Sequence, residues 1–267
     1  MQFLIQTDRS GVPKHDFAYI VYKAVEYQRE FNDRDDVGYT TCLGIYSDID
    51  AGAIPLPKGI ITPSVIRSLK KEDTIIPIGS IEFVQEFCDS VGLELPLPIN
   101  VPDDLLHKEF LKREIFYTDK WIPQNNKKYF FKDASVLKGL QGIIEKGGII
   151  YTNNEKSPND LFLISEWIDI DSEWRVFVHK DHIVDIRRYS GDLDLFPDID
   201  KISDMITSYK NSPVAYTLDV AITANGDTVL IECHDFYSVG LYGFDNYNKV
   251  PFMFSQWWYQ NAIQDQQ

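Results

Sequence analysis

Two runs of mostly apolar residues between positions 216 and 238 flank a short polar turn and predict a β-hairpin. The runs are joined through Asn225-Gly226. Asn-Gly between apolar runs is the strongest short-range hairpin signal, because a type I′ turn needs positive φ at both central positions. Apolar residues before and after the turn, Leu218, Val220 and the run 229–231, indicate that this hairpin is mostly buried.

A two-residue turn at this position places two carboxylates face to face, with Asp219 directly opposite Glu232. Directly opposed residues have Cβ atoms ~4.5–5.5 Å apart, where like charges are destabilising unless a positive charge lies between them. Because side chains alternate along a strand, Glu232 and His234 lie on one face, and Asp235 follows immediately. The set indicates a site for a divalent cation. The alternative is an ordinary acidic pair on a solvated sheet face.

The pattern of the first hundred residues alternates between strands and helices and predicts an α/β arrangement. Residues 3–5 have the pattern of a strand, and residues 15–31 carry apolar positions at helical spacing. A second strand over 75–78 leads through Gly79-Ser80 into a helix over 81–88. Gly79-Ser80 either binds an anion at the helix N-terminus or is a plain helix cap.

Two prolines mark a domain boundary near residue 100. Pro96 and Pro98 interrupt the preceding pattern, and a helix signal begins again between residues 101 and 113. We therefore predict an N-terminal α/β domain over residues 1–100 and a second, α+β domain over residues 101–267.

Lysines and glycines cluster early in the second domain. Residues 129–132 form a short apolar strand that ends in Lys132. An ammonium group in apolar surroundings needs a partner, so Lys132 is a candidate phosphate ligand. The glycine-containing stretch 138–148, which begins with Lys138, predicts a mobile loop over a ligand. The helix before it carries Lys108, Lys112 and Arg113, which either reach the same ligand or form a solvated face.

Further along, the pattern predicts paired strands that carry arginines. A strand over 161–170 breaks off at Asp171-Ser172, resumes over 173–178 and pairs with residues 182–189. The arginines on these strands are Arg175, Arg187 and Arg188. We expect Arg175 and one of the other two to face the same cleft; exposed charges at a sheet edge are the alternative.

Composition and charge narrow the class of protein. With 267 residues, 44% hydrophobic and 13% aromatic, the chain is a folded globular protein. A formal net charge of −15 argues against nucleic-acid or anionic-membrane partners, which reward positive potential. The three cysteines show no CxxC spacing, and the N-terminus has no long apolar segment. We therefore expect a cytoplasmic protein without a structural zinc or disulfide framework.

The ordered set of charged residues resembles the ATP-grasp superfamily. The order is Lys132, Glu166 and Glu173 seven residues apart, and Asp219 and Glu232 thirteen residues apart. The resemblance covers residues 108–238, about half of the chain. Residues 76–84 are also similar to the N-terminal region of small ATP-grasp proteins of phages and bacteria. The fold implied is an ATP-grasp fold, with two α+β subdomains that grip the nucleotide.

The resemblance implies a nucleotide site. Lys132 contacts the phosphates, with Lys112 and Lys138 as further candidates; the first lysine of the family is Lys108, Lys112 or Arg113. Glu166, Trp167 and Ile168 form the adenine hinge, where the backbone of residues 167–168 reads the base. Glu173 holds the ribose hydroxyls.

The same resemblance implies a metal site at Asp219 and Glu232. The family usually has asparagine at the position of His234, so a nitrogen ligand replaces an oxygen ligand, or Asp235 takes its place. Magnesium prefers oxygen ligands, whereas imidazole suits manganese better. The expected cofactors are therefore ATP and Mg²⁺ or Mn²⁺.

The implied reaction is ATP-dependent ligation of a carboxylate to an amine through an acyl phosphate. Arg175, Arg187 and Arg188 are candidates for binding the acceptor carboxylate and the acyl phosphate, because the guanidinium fork matches their oxygens. The expected partner is an amino-acid, peptide or protein carboxylate; the oligomeric state stays open. The alternatives are a nucleotide-binding regulatory protein on the same scaffold and a kinase.

Overall fold

The computed structural model describes residues 1–45, 59–69, 75–119, 126–146, 148–153 and 161–263. Part of the predicted glycine loop, at Gly147, lies outside these residues. By its internal contacts the chain divides into two compact units. Unit 1 comprises Met1–Pro96, Pro213–Ala215 and Phe236–Gln267, and unit 2 comprises Leu97–Ser212 and Tyr216–Asp235.

Unit 1 begins with strands and helices in alternation, as the pattern predicted. Its strands are β1 (Gln2–Gln6), β2 (Gly38–Cys42), β3 (Gly44–Ile45), β4 (Ile60–Ile61) and β5 (Ile75–Ile78), and its first helices are α1 (Asp16–Asn32), α2 (Pro63–Leu69) and α3 (Ile81–Val91). Strands β2, β1 and β5 form a parallel sheet in that order. Parallel strands need a crossover connection, which α1 supplies between β1 and β2.

Helix α3 begins at a side-chain cap. The Ser80 hydroxyl accepts a hydrogen bond from the Phe83 backbone N–H at 3.2 Å, and the Ser80 N–H itself donates to Gln6 Oε1 at 2.8 Å. The helix ends at Gly92, whose φ of 70° is left-handed. Because the Ser80 N–H already has a side-chain acceptor, the structure favours a plain cap over an anion site at Gly79-Ser80.

Unit 2 contains two sheets. A five-stranded sheet has the order β6-β10-β7-β8-β9 and a four-stranded sheet has the order β12-β11-β13-β14. The strands are β6 (Ile115–Thr118), β7 (Tyr129–Asp133), β8 (Gln141–Glu145), β9 (Gly148–Tyr151), β10 (Phe162–Glu166), β11 (Ile170–His179), β12 (His182–Gly191), β13 (Ala215–Thr223) and β14 (Thr228–Asp235). Helices α4 (Lys108–Leu111) and α5 (Ile199–Ser208) and a 3₁₀ turn (Asp103–Leu105) complete the unit.

The segment predicted as one strand over 161–170 is two strands in different sheets. Strand β10 ends at Glu166, and β11 begins at Ile170. The break therefore comes at residues 167–169, earlier than the Asp171-Ser172 position that the sequence predicted. An apolar run that continues through a change of sheet conceals the break, because residues on both sides of it are buried by different neighbours.

The C-terminal helix groups with unit 1. Helix α6 (Val250–Trp258) is followed by a π-helical turn (Tyr259–Ile263). The Phe254 ring lies 5.8 Å from Phe17 of α1, and the Trp258 ring lies 5.8 Å from Phe87 of α3. The units thus differ from the predicted domains, which assigned residues 236–267 to the second domain, because the apolar surface of α6 is buried against α1 and α3.

The buried apolar residues of unit 2 form a large core and a smaller one. The large core includes Trp174, Val176, Leu218, Val220 and Leu230 of the four-stranded sheet, and the smaller one includes Tyr129, Phe131, Ile144 and Ile164 of the five-stranded sheet. Among the described residues, no helix combines the length and apolar character that crossing a bilayer requires.

The glycine-containing stretch 138–148 is a hairpin and not the mobile loop that the sequence predicted. Gly142 pairs with both Phe131 and Tyr151, so it lies inside the five-stranded sheet. A Cβ at Gly142 would lie 2.5 Å from the Ile150 carbonyl oxygen and 2.6 Å from the Phe131 ring. Glycine is present there because neighbouring backbone and ring atoms leave no space for a side chain.

We expect Gly142→Ala to destabilise the protein by roughly 1–3 kcal/mol, because the added methyl group overpacks a filled site. Urea denaturation, compared at the midpoint, measures the loss. Gly148→Ala is the matched control in the same hairpin, since a Cβ there meets only one atom, at 3.6 Å. Equal midpoints for the two variants would contradict the packing assignment.

Candidate active site

The β13–β14 hairpin places Asp219 directly opposite Glu232, as the sequence predicted. The turn itself is different. Thr223 pairs with Asp227 through an N–H to carbonyl bond of 3.0 Å, so three residues, 224–226, form the loop, and Asn225 does not have positive φ. Gly226 alone takes the left-handed conformation, with φ of 80°. The predicted type I′ turn is therefore wrong.

A β-bulge restores the predicted register. The pairing shifts between Asp219 and Val220, because Val220 faces Leu230 and Ile231 is the additional residue on β14. The longer loop and the bulge offset each other, so the acids meet although the turn has another form. Asp235 pairs with Tyr216 and, by alternation, lies on the other face from Glu232 and His234.

Asp219, Glu232 and His234 form a compact cluster. Their potential ligand atoms all lie within 4.8 Å of one another. His234 Nε2 lies 2.8 Å from Glu232 Oε1 and 3.5 Å from Asp219 Oδ2. Asp219 is almost fully buried, whereas the other two side chains are about three-quarters buried.

Basic side chains of the protein neutralise the two acids. Arg175 on β11 binds Asp219 with both edges of its fork, Nε to Oδ1 and Nη2 to Oδ2, each at 2.7 Å. Lys132 on β7 reaches from the five-stranded sheet to Glu232 Oε2. The positive charge that the sequence required between the carboxylates is therefore supplied by Arg175, Lys132 and His234.

These contacts set the ionisation of the cluster. Burial opposes ionisation of Asp219 and Glu232, but hydrogen bonds and charges from Arg175, Lys132 and His234 outweigh it and lower the pKa of both carboxyl groups. Burial also opposes protonation of His234, but Glu232 and Asp219 raise its pKa to about 9. At neutral pH the cluster therefore contains two carboxylates and an imidazolium.

Arg175 has a different environment from the one predicted for a substrate ligand. Its guanidinium is buried, at 8% exposure, and is held by Asp219, so it positions that carboxylate. Arg187 faces Arg175 across β11–β12 and binds Asp185 at 2.8 Å. Arg188 faces Trp174, so it lies on the opposite face of the sheet and is excluded from this cleft.

Glu173 lies beside the acid cluster. It accepts a hydrogen bond from the Tyr189 hydroxyl at 3.3 Å. Burial raises the pKa of Glu173, and the charges of Asp219 and Glu232 add to the rise. The carboxyl group predicted to bind ribose is thus close to the predicted metal ligands, in a partly desolvated position.

The predicted adenine hinge is the connection between the two sheets. Glu166 contacts Lys127 and accepts a hydrogen bond from the Glu114 N–H at 3.0 Å. The Trp167 N–H donates to the Lys128 carbonyl oxygen at 3.0 Å, so this group is engaged and does not read a base as predicted. Ile168 follows, half-buried, between the two sheets.

Lys112 and Lys138 lie apart from the acid cluster in contact terms. Lys112 Nζ pairs with Asp227 Oδ1 at 3.4 Å, beside the hairpin turn, and its side chain is 45% exposed. Lys138 is exposed in the loop between β7 and β8, with a left-handed φ of 55°. Neither shares a contact with Lys132 among the described residues.

Arg113 is the basic residue of this group that the structure buries. Its Nε donates to Ser165 Oγ at 2.8 Å, and its Nη1 donates to the carbonyl oxygens of Leu111 and Leu230 at 3.0 and 2.8 Å. Burial lowers its pKa to about 10. Arg113 therefore ties β10 to β14. The sequence offered Arg113 only as one of three alternatives, because spacing alone does not separate a buried arginine from exposed lysines.

A comparison with protein families identifies the class of this chain. The model of a family described as an "ATP-grasp domain", the second family of its clade, matches residues 110–250, more than half of the chain. The chain belongs to this family. The match confirms the predicted ATP-grasp resemblance and the α+β ATP-grasp fold. No curated protein sequence matches the chain.

Several solved structures are similar at low identity. D-alanine–D-alanine ligase from Bacillus anthracis complexed with ATP is 11% identical, with coverage of 96% of this chain and 95% of that chain and a TM-score of 0.49. Phosphoribosylglycinamide synthetase from Anaerococcus prevotii is 13% identical, with coverage of 98% and 78% and a TM-score of 0.42. The ATP-grasp ligase PsnB complexed with minimal precursor is 12% identical, covers 55% of this chain with about half (54%) of its own length, and has a TM-score of 0.37.

The donor set of the cluster fits a divalent cation. Asp219 and Glu232 offer oxygen ligands and negative charge, and each carboxylate oxygen has a further lone pair beyond those used by Arg175 and Lys132. His234 fits after loss of its proton, and its imidazole favours Mn²⁺ more than an oxygen ligand does.

We expect Arg175→Met to destabilise the protein by roughly 3–5 kcal/mol, because it leaves Asp219 buried without its bidentate partner. The free energy of unfolding from urea titration measures the loss. Arg187→Met is the matched control: its pair with Asp185 is 39% exposed on the arginine side, and such pairs contribute roughly 0–1 kcal/mol. Similar losses in both variants would contradict the positioning role of Arg175.

Proposed function

We propose that this protein is an ATP-dependent carboxylate-amine ligase that acts through an acyl phosphate. Membership of an ATP-grasp family supports nucleotide binding. The observation that carries the proposal is the meeting of Lys132 from one sheet with Asp219, Glu232 and His234 from the other. Phosphoryl transfer needs positive charge and alignment around the phosphates more than it needs a covalent group from the protein.

In this proposal Lys132 binds the phosphates of ATP, with Lys138 in the loop after β7 as a second cationic group. The segment Glu166 to Ile168 lies at the base, with the Ile168 backbone in place of the engaged Trp167 N–H. Glu173 accepts hydrogen bonds from the ribose hydroxyls. The Tyr189 hydroxyl holds the Glu173 carboxylate from its other side.

Asp219, Glu232 and His234 would hold the divalent cation. When bound, it neutralises phosphate charge and helps to align the phosphates. Arg175 keeps Asp219 ionised and oriented. Magnesium suits the two carboxylates, and manganese suits the complete set with His234.

The reaction has two steps. An oxygen of the acceptor carboxylate attacks the γ-phosphorus of ATP, the bond to the β-phosphate oxygen breaks, and ADP leaves. The nitrogen of an amine then attacks the carbonyl carbon of the acyl phosphate, phosphate leaves and the nitrogen loses a proton. Arg187 is the arginine best placed for the acceptor carboxylate, because it shares the face of Arg175 and is partly exposed.

A second candidate function is a nucleotide-binding regulatory protein without turnover. The pKa of His234, which its acidic neighbours raise to about 9, favours this candidate, because a protonated imidazole does not ligate a metal. The candidates differ in ADP formation. Incubation with ATP, Mg²⁺ or Mn²⁺ and a panel of amino acids and peptides yields ADP in amounts equal to a coupled product for the ligase, and no ADP for the regulatory protein.

We expect Lys132→Met to weaken ATP binding at least 10-fold, because the variant removes a charge that meets the phosphates. Titration calorimetry with Mg²⁺-ATP measures the dissociation constant. Lys210→Met is the matched control, since Lys210 is exposed and its ammonium group bonds only to Thr207 among the described residues. An unchanged ATP dissociation constant in folded Lys132→Met would remove Lys132 from the site.

We expect Glu173→Gln to weaken ATP more than inorganic triphosphate, by about 10-fold in the ratio of the two dissociation constants. Triphosphate has no ribose, so it does not lose the hydrogen bonds that the charged carboxylate makes. Competition against a fluorescent nucleotide measures both constants. An equal loss for the two ligands would contradict the ribose assignment.

A further inference from the structure

Two neighbouring hydroxyl groups on β13 are buried without a hydrogen-bond partner among the described residues. They belong to Tyr216 and Thr217, both of which are completely buried. A buried polar group without a partner costs roughly 1–3 kcal/mol. Native proteins keep few such groups, so each one needs a physical explanation.

The two hydroxyl groups lie on opposite faces of the strand. Tyr216 belongs to the large core of unit 2, where its ring lies 5.4 Å from that of Tyr209. Thr217 directly faces His234 across the β13–β14 ladder and precedes Asp219 by two residues. Because side chains alternate, Thr217 shares the face of Asp219 and His234.

The position of the His234 ring leaves a role for this hydroxyl. Ring nitrogen Nε2 is the one directed at the acids, 2.8 Å from Glu232 and 3.5 Å from Asp219. If Nε2 is the metal ligand, the proton of the neutral ring lies on Nδ1. Ligating histidines almost always donate this second N–H to an oxygen acceptor, which fixes the ring. Directly opposed residues have Cβ atoms ~4.5–5.5 Å apart, so Thr217 is near enough for this contact after a side-chain rotation.

We propose that Thr217 is a positioning residue of the cation site, whose hydroxyl oxygen accepts a hydrogen bond from the Nδ1–H of His234 when Nε2 binds the ion. This inference rests on the proposed function and adds a residue to it. It explains why an unsatisfied hydroxyl persists at a fully buried position where valine would have a similar shape. The same hydroxyl has no role if the site binds no cation.

The test uses the full chain and Mn²⁺ alone, with the dissociation constant measured by titration calorimetry. We expect Thr217→Val to weaken Mn²⁺ binding about 10- to 100-fold, the usual effect of removing such a partner of a ligating histidine. Thr217→Ser keeps the hydroxyl and stays close to the wild-type dissociation constant. Tyr216→Phe, which removes the neighbouring hydroxyl on the core face, leaves the Mn²⁺ dissociation constant unchanged.

Stability provides an independent readout. Without metal, Thr217→Val and Tyr216→Phe both remove an unsatisfied buried hydroxyl, so neither lowers the urea midpoint. Lower Mn²⁺ affinity at unchanged stability is then specific to the site. The inference is overturned if Thr217→Val binds Mn²⁺ as tightly as the wild type, or if Thr217→Ser or Tyr216→Phe loses as much affinity as Thr217→Val. Wild-type protein that binds no Mn²⁺ overturns the proposed cation site and this inference together, a result that the wild type alone identifies.

Discussion

The requirement to neutralise two buried carboxylates governs the centre of unit 2. Asp219 and Glu232 face each other on β13 and β14, and neither is tolerated as an isolated charge in a desolvated sheet. Arg175 satisfies Asp219 from within the four-stranded sheet, and Lys132 satisfies Glu232 from the five-stranded sheet. This one electrostatic constraint therefore links the two sheets as well as the strands of the hairpin.

The same contacts describe how ligand binding would proceed. Lys132 already contacts Glu232, so a phosphate group that takes Lys132 as its partner must leave Glu232 to another cation. A divalent ion at Glu232 and a phosphate at Lys132 would thus favour each other, because each releases the partner that the other needs. In the proposed function, metal and nucleotide binding are coupled for this reason.

Strand register assigns roles to residues that look equivalent in the sequence. Arg187 and Arg188 are adjacent, yet only Arg187 faces Arg175, because side chains alternate between the two faces of a strand. Arg113 and Lys112 are also adjacent, yet Arg113 is buried between β10 and β14 while Lys112 is exposed beside Asp227. In both pairs, a shift of one position changes the environment of the charge completely.

The sequence by itself determined the strands and helices with strong periodicity, the ATP-grasp class, and the encounter of Asp219 with Glu232, since these depend on local alternation and on the order of charged residues. Only the tertiary structure decided the three-residue turn, the bulge at Ile231 and the partners of Arg175. It also placed Gly142 inside a sheet and the C-terminal helix with unit 1. These features depend on contacts between residues distant in the chain, where packing space and burial of charge, and not local propensity, determine the lowest free energy.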